Sequence, residues 1–417
     1  LALDRQLVAA KVDRDAQPVA EMLEHAVADR GQLGGDGIWN GQGLLHRTQC
    51  RFECMPDPLE RRDEEADALA FAVDEARHYL AGLDEAPVLA SREQRFGGRL
   101  PEDGDGALVA LRELVACREV ETRSSGPRFF HFVTGGTTTA ALAADWLTSL
   151  LDQNAFSAVS SPLGAQLEDV AVRWLLDLFE LPEDWSGVLT SGATMANFVG
   201  LACGRRWWAQ EHGVDVDERG LAGLTAVPVF STPYLHASAR KALGMVGLGR
   251  ESPTIVAAGD LEGELAALGG APAIVIANAG DVNTGDFDPI ARMADLADKH
   301  RAWLHVDGAF GLFARLTPEA GELAEGVERA DSVIADGHKW LNVPYDCGFA
   351  FVRDGELLKE PFRLTAAYLP SDETPSPEAS RRARSLAVWA TLRAYGRAGH
   401  RAMVERHLGL AQRLGRR

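Results

Sequence analysis

Four stretches of the sequence carry residue types that could do chemistry together. DSVIADGHKWLNVPYDCG, residues 331–348, puts Lys339 directly behind a histidine at the end of an apolar run. A solvated lysine needs no such setting, whereas a lysine held partly dry can give up its proton and attack a carbonyl to form a Schiff base. HVDGAFG ends another apolar run on Asp307, where a carboxylate is costly unless it finds a cation or a hydrogen-bond donor. Gly308 and Ala309 keep the next positions narrow, as if a flat ring must pass. TSGATMANF, from Thr190, joins a strand-like run to a helix-like one. Its small residues, the free N–H groups of a helix start and the Thr194 hydroxyl suit a phosphate. His236 follows AVPVFS and the turn TPYL, where an imidazole could stack on a ring. Each feature also has a plainer reading. Lys339 could be a surface lysine with its stem on apolar neighbours. Asp307 could cap a turn, the Ser-Gly-Ala-Thr turn could be a helix cap, and His236 could be a packed or solvated histidine.

Taken together, the four form a set: an anion cradle, a stacking ring, an acid for a ring nitrogen and an imine-forming amine. Pyridoxal phosphate uses all four, because its phosphate anchors, its pyridine nitrogen must stay protonated and its aldehyde must be held as an imine. The turn matches neither the Walker nor the dinucleotide glycine pattern.

Side chains on one site need strands that end together. Short apolar runs at GVLT (187–190), AVPVFS (226–231), AIVIANA (273–279), AWLHVD (302–307), SVIAD (332–336) and CGFAFV (347–352) read as strands. Helical patterns lie between several of them, for example TMANFVGLACGRRWW and PIARMADLADKH. This alternation predicts an α/β domain with a mostly parallel sheet covered on both faces, and ligands collect at the carboxyl ends of such strands. Upstream, TTTAALAADWLTSLLDQ reads as a helix. A second helix runs through Leu167, Val170, Ala171, Trp174, Leu175 and Leu178 and is stopped by Pro182. From Asp63 to Leu83, Ala66, Leu69, Ala70, Val73, Ala76 and Leu80 form an apolar stripe. After Ser380 the chain reads as one or two basic amphipathic helices. Four segments follow from this: a glycine-rich arm without periodicity over 1–57, a helical segment over 58–125, a cofactor-binding α/β domain over 126–375, and terminal helices over 376–417.

A net charge of −19 argues against nucleic acid or an anionic membrane as main partner, while leaving a small anionic cofactor open. No apolar stretch reaches membrane-spanning length. The five cysteines are odd in number and scattered, which fits a reducing cytoplasm. His46, Cys50 and Cys54 are spaced by four, but no fourth zinc ligand stands at a recognisable spacing, so no metal is expected.

Eight motifs run in order: PRFFHFVTGG, DQNAFSAVSSP, TSGATMANF, HASARKALGMVGLG, AGDVNTGDFDP, WLHVDGAFG, ADGHKWLNVPYDCG and RRARSLAVWATLRAYG. Over about residues 63–417 the chain resembles the group II pyridoxal-phosphate-dependent amino-acid decarboxylases, which act on aromatic amino acids, glutamate or 2,4-diaminobutyrate. The resemblance implies a fold-type I transferase-like α/β architecture and a cytoplasmic homodimer. It implies that Lys339 carries the cofactor as an internal Schiff base and that Asp307 pairs with the pyridine nitrogen. His236 would stack on one ring face and Ala309 pack the other. Ala193, Thr194, Asp336 and His338 would surround the phosphate, and Asn283 would lie on a loop reaching the cofactor. Catalysis would rest on Lys339 and His236, converting an L-amino acid to its amine and carbon dioxide.

Against the family pattern, the segment SDETPSPEAS (371–380) is short for a lid and holds no tyrosine. Tyr368 is the nearby candidate for returning a proton to the substrate carbon. The family's small C-terminal domain is expected to be missing or truncated. The alternatives are another fold-type I reaction, such as transamination or elimination, and a non-catalytic cofactor-binding relative.

Overall fold

The computed structural model describes residues 58–88, 99–117, 121–364, 366–367 and 374–416. From Arg62 onward they form one compact unit. Its sheet has seven strands: β1 Ser186–Thr190, β2 Val229–Ser231, β3 Pro253–Ile255, β4 Ala273–Asn278, β5 Ala302–Asp307, β6 Ser332–Asp336 and β7 Gly348–Val352. The principal helices are α1 Glu65–Gly82, α2 Ala107–Ala116, α3 Thr139–Leu151, α4 Pro162–Leu178, α5 Ala193–Glu211, α6 Ala237–Met245, α7 Leu261–Ala267, α8 Ile290–His300, α9 Gly355–Lys359 and α10 Ser385–Gly415.

The strand order is β1-β7-β6-β5-β4-β2-β3. Neighbours from β6 to β3 pair in parallel, and β7 runs antiparallel to both β1 and β6. Each of the six apolar runs contains a strand, and β3 is a seventh that the pattern did not reveal. Only three residues long with two of them exposed, β3 is too short and too wet to show alternation. Along the inner strands, alternate residues feed opposite layers. Val275, Leu304, Val333 and Phe349 pack with residues of α4, α7, α8 and α10. Ile274, Ile276, Trp303, Ile334 and Ala350 pack with residues of α5, α6 and α9. Burial on both faces is why these strands read as unbroken apolar runs.

Two sequence expectations need correction. α1 forms, but it buries no residue, and Leu69 and Leu80 are exposed. Of the stripe only Ala76 and Leu80 line the groove that α1 shares with Leu111 and Leu114 of α2 and Trp146 of α3; the other α1 residues there, Phe71, Ala72, Glu75 and Tyr79, lie off it. α4 also forms, with Ser161 as N-cap and Pro162 in its first turn, a good start because proline's missing N–H costs nothing there. Its buried face runs through Glu168, Ala171, Val172, Leu175 and Leu176, so Trp174 lies outside it and stacks on Trp389 at 6.3 Å. In α10 two helical runs meet at Gly396, whose φ of 57° and ψ of −175° interrupt the helix.

Parallel pairing sets the site. The register puts Asn278 opposite Asp307, and Gly348 stands between Thr190 and Asp336. The carboxyl ends of β1, β2, β4, β5 and β6 therefore deliver their following loops to one edge of the sheet. A Cβ on Gly348 would come within 2.6 Å of the Gly192 backbone, so glycine is what lets the turn after β1 close on β7.

Candidate active site

The cleft at that edge is lined by Val133, Tyr234, His236, Asn278, Gly280, Asp281, Val282, Asp307, Ala309, Phe310 and Lys339. Sequence reasoning singled out Lys339, Asp307, His236 and Ala309, and the structure brings all four together.

Asp307 closes β5 and is almost fully buried. Its Oδ2 accepts from Asn197 Nδ2 at 2.9 Å, and its Oδ1 accepts from the Ala309 backbone N–H at 3.2 Å. These bonds hold the carboxylate at the cleft wall. His236 is the N-cap of α6, and its Nδ1 accepts from the Ser238 N–H at 3.2 Å.

Lys339 follows β6, and its Nζ lies 3.1 Å from Asp336 Oδ2. His338 Nε2 is 3.5 Å from the same oxygen. Burial pushes the Asp336 carboxyl above the usual carboxylate range, while the charges of His338 and Lys339 pull it back. Burial likewise holds His338 below its ordinary value, opposed by Asp336. His338 Nδ1 accepts from the Cys347 N–H at 3.1 Å, which leaves Nε2 as the nitrogen that faces Asp336. The ring also stacks on Tyr345 at 4.2 Å.

Ala193 and Thr194 open α5 behind Gly192, and no side chain caps this helix start. The Ser/Thr cap considered as the plain reading is therefore not made here. A Cβ on Gly192 would lie 2.9 Å from His338 Cε1 and 3.4 Å from Asp336 Oδ1, so the turn, His338 and Asp336 are packed together.

Other expectations are corrected or fall elsewhere. Asn283 does not line the cleft; its backbone N–H donates to Asp281 at 2.9 Å in an exposed turn. The residues of that loop facing the cleft are Gly280, Asp281 and Val282. His131 is exposed and sits edge-on to Phe129, and it is Val133, two residues on, that reaches the cleft. Tyr368, the zinc-like trio His46, Cys50 and Cys54, and residues 371–373 of the proline-rich segment lie outside the described residues. Burial raises the thiols of Cys203 and Cys347, which suits packed and unreactive sulfur.

Sequence reasoning passed over Asn197 and His305. Asn197 lies four residues beyond Ala193 on α5, and His305 lies two before Asp307 on β5, the spacings that share a face in helix and strand. That periodicity was the available signal. Gly135 also supports the site: a Cβ there would overlap the Lys339 carbonyl, and the Asn342 side-chain amide donates to the Gly135 carbonyl.

The pyridoxal-dependent decarboxylase conserved domain matches residues 111–417. An aromatic-L-amino-acid decarboxylase of Bacillus atrophaeus is 29% identical over 390 residues, covering 86% of this chain and 78% of that protein. Human acidic amino acid decarboxylase GADL1 is 28% identical over 326 residues, covering 72% of this chain and 62% of that protein. The structure of Oryza sativa TDC with PLP and tryptamine superposes with a TM-score of 0.75 at 26% identity, covering 83% of this chain and 77% of that one. Mouse CSAD gives a TM-score of 0.77 at 25% identity, covering 86% of this chain and 79% of that one. Fold and relatives together define a pyridoxal-phosphate enzyme class. The chain belongs to the pyridoxal-dependent decarboxylase family.

The residues present fit that cofactor. Asp336 Oδ1 is buried with no hydrogen-bond partner, beside the uncapped start of α5. A carboxylate next to a phosphate would repel it, and burial, which raises the Asp336 carboxyl, lessens that repulsion by favouring the neutral form. Asp307 presents a carboxylate at the cleft wall, the kind of acceptor a protonated ring nitrogen would need.

Proposed function

We propose that the chain decarboxylates an L-amino acid to its amine and carbon dioxide, with pyridoxal phosphate held in this cleft. The observation that carries the reading is the convergence of Lys339, Asp307, His236 and Ala309 on one cleft in a chain of this family. Pyridoxal phosphate, when bound, supplies an electron sink for the bond that releases carbon dioxide. The protein's own residues do the rest. Lys339 would provide the amine that holds the cofactor's aldehyde carbon. Asp307 would keep a proton on the ring nitrogen by accepting its hydrogen bond. His236 and Ala309 would flank the ring. The N–H groups of Ala193 and Thr194, with Asp336 and His338, would hold the phosphate.

The cleft also bears on the substrate. Among its described lining residues Lys339 is the only cation, and Asp281 adds a carboxylate beside Tyr234 and Phe310. This supports an uncharged or cationic substrate side chain over an acidic one. Incubation of the holoenzyme with single amino acids tests both points. Amine and carbon dioxide are expected from an aromatic amino acid or 2,4-diaminobutyrate, with little from glutamate. Keto-acid formation without carbon dioxide would point to transamination instead.

A homodimer in the cytoplasm is the expected form. Phe130 and Phe132, 85% and 91% exposed, together with exposed Leu147 and Leu150 of α3, support a covering partner. Sedimentation equilibrium showing a monomer at micromolar concentration would exclude it.

A further inference from the structure

Asn197 is fully buried on α5 and does not line the cleft, yet its side-chain amide reaches toward both Asp307 and His236. The hydrogen bonds around it admit one assignment. An ionised carboxylate only accepts, so the 2.9 Å contact to Asp307 Oδ2 needs an N–H of Asn197 Nδ2. Asn197 Oδ1 then faces His305 Nε2 at 2.8 Å, and that nitrogen must carry hydrogen. Burial depresses the His305 imidazole to about 4, with Asp307 opposing, so the ring is neutral and Nδ1 keeps a lone pair. Ser332 donates its O–H to that lone pair at 2.8 Å and accepts the Trp303 indole N–H at 3.0 Å.

The second N–H of Asn197 Nδ2 reaches Ser238 Oγ at 3.3 Å. Ser238 passes its own O–H to His236 Nδ1 at 2.7 Å, next to the Ser238 backbone N–H on the same nitrogen. With Nδ1 accepting, the His236 proton stays on Nε2.

We propose that Asn197 is a positioning residue that sets both ring-facing side chains at once, aiming the Asp307 carboxylate and fixing His236 as its Nε2–H tautomer. This rests on the roles of Asp307 and His236 given above. Asn197 itself touches neither cofactor nor substrate. His305, Ser332 and Trp303 form the fixed end of the chain, and because each is buried its orientation does not depend on solvent.

The test titrates the apoprotein with pyridoxal phosphate and reads the dissociation constant by tryptophan fluorescence, together with the absorption spectrum of the bound cofactor. Asn197→Ala, Asp307→Asn and the double variant are compared. Asn197→Ala is expected to weaken binding roughly ten- to a hundredfold, the scale of one hydrogen bond to a charged group, and to shift the absorption band. The double variant is expected to bind no more weakly than Asp307→Asn, because one residue acts through the other. A folded Asn197→Ala protein with the parent affinity and spectrum overturns the proposal, as do penalties that add in the double variant. If Asp307→Asn itself leaves affinity unchanged, the role of Asp307 falls and this proposal with it. If Asp307→Asn weakens binding and Asn197→Ala does not, this proposal alone falls. Should Asn197→Ala fail to fold, Asn197→Leu combined with His305→Leu removes both buried partners at near-constant volume, and the same comparison applies.

Discussion

Lys339→Ala is expected to abolish amine production, lowering kcat by at least about a thousandfold, or about 4 kcal/mol at 1.36 kcal/mol per decade. The reason is covalent: no other lysine lines the described cleft, so no neighbouring amine can take its place. Borohydride reduction of the parent holoenzyme should fix the cofactor on the peptide containing Lys339, and Lys339→Ala should yield no such peptide. A label on another lysine would refute the assignment.

The same substitution has a second, separable consequence. It leaves the Asp336 carboxyl buried without its ammonium partner, facing at 3.5 Å only a His338 ring that burial favours in its neutral form. Loss of a charge partner from a site this dry costs roughly 1–3 kcal/mol. The pH dependence distinguishes it from a packing defect. Asp336 already titrates above its unfolded value, and removal of the Lys339 ammonium raises it further. The folded chain then binds the extra proton, so stability declines as pH rises from the unfolded carboxylate range through the folded one. Apoprotein Lys339→Ala should therefore lose more stability, relative to the parent, at pH 7 than near the unfolded carboxylate value at about pH 4, measured by urea unfolding. Asp336→Asn in the same background should remove that difference without restoring catalysis. A uniform loss at both pH values would mean that the ion pair is not the cause.

What could be read from sequence divides along physical lines. The inner strands were legible because burial on both faces makes each a continuous apolar run ending in a polar residue, as in AWLHVD and SVIAD. Lys339 and Asp307 were legible for the same reason, since a charged residue closing such a run is conspicuous. Asn197 was not, because α5 is buried on most sides and a polar residue within it is not marked by periodicity until the sheet behind it is known. Trp174 misled because a large apolar residue at helical spacing reads as core. Here it packs against another half-exposed tryptophan on the helix surface. Asn283 misled because a loop motif fixes which segment approaches the site but not which residue turns inward. The helix of α1 was legible, yet its apolar stripe was not the face that packs, since only Ala76 and Leu80 of it line the groove against α2 and α3.

Arg381→Met is expected to destabilise the fold by roughly 3–5 kcal/mol, the cost of stripping one partner from a buried ion pair. Arg381 Nη2 donates to both oxygens of Glu168 at 2.7 Å and to the Leu189 carbonyl at 3.1 Å. Glu168 Oε1 also accepts from the Leu189 N–H at 3.0 Å. The pair thus ties the segment before α10 to α4 and to β1, one residue short of Thr190 and the turn that opens α5. The arginine is not fully satisfied, since its Nε and Nη1 are buried without partners. Its desolvation is therefore incompletely offset, and the pair as a whole should be worth much less than the cost of breaking it. Arg381→Leu with Glu168→Gln keeps an acceptor for the Leu189 N–H and removes both charges. It should recover most of the stability lost in Arg381→Met, measured as the urea midpoint of the apoprotein. If the double variant is as unstable as the single one, the interaction energy lies in the charges themselves. Cofactor affinity should follow the same order as stability, because β1 carries the turn whose N–H groups face Asp336, and a strand that frays at Leu189 cannot hold that turn.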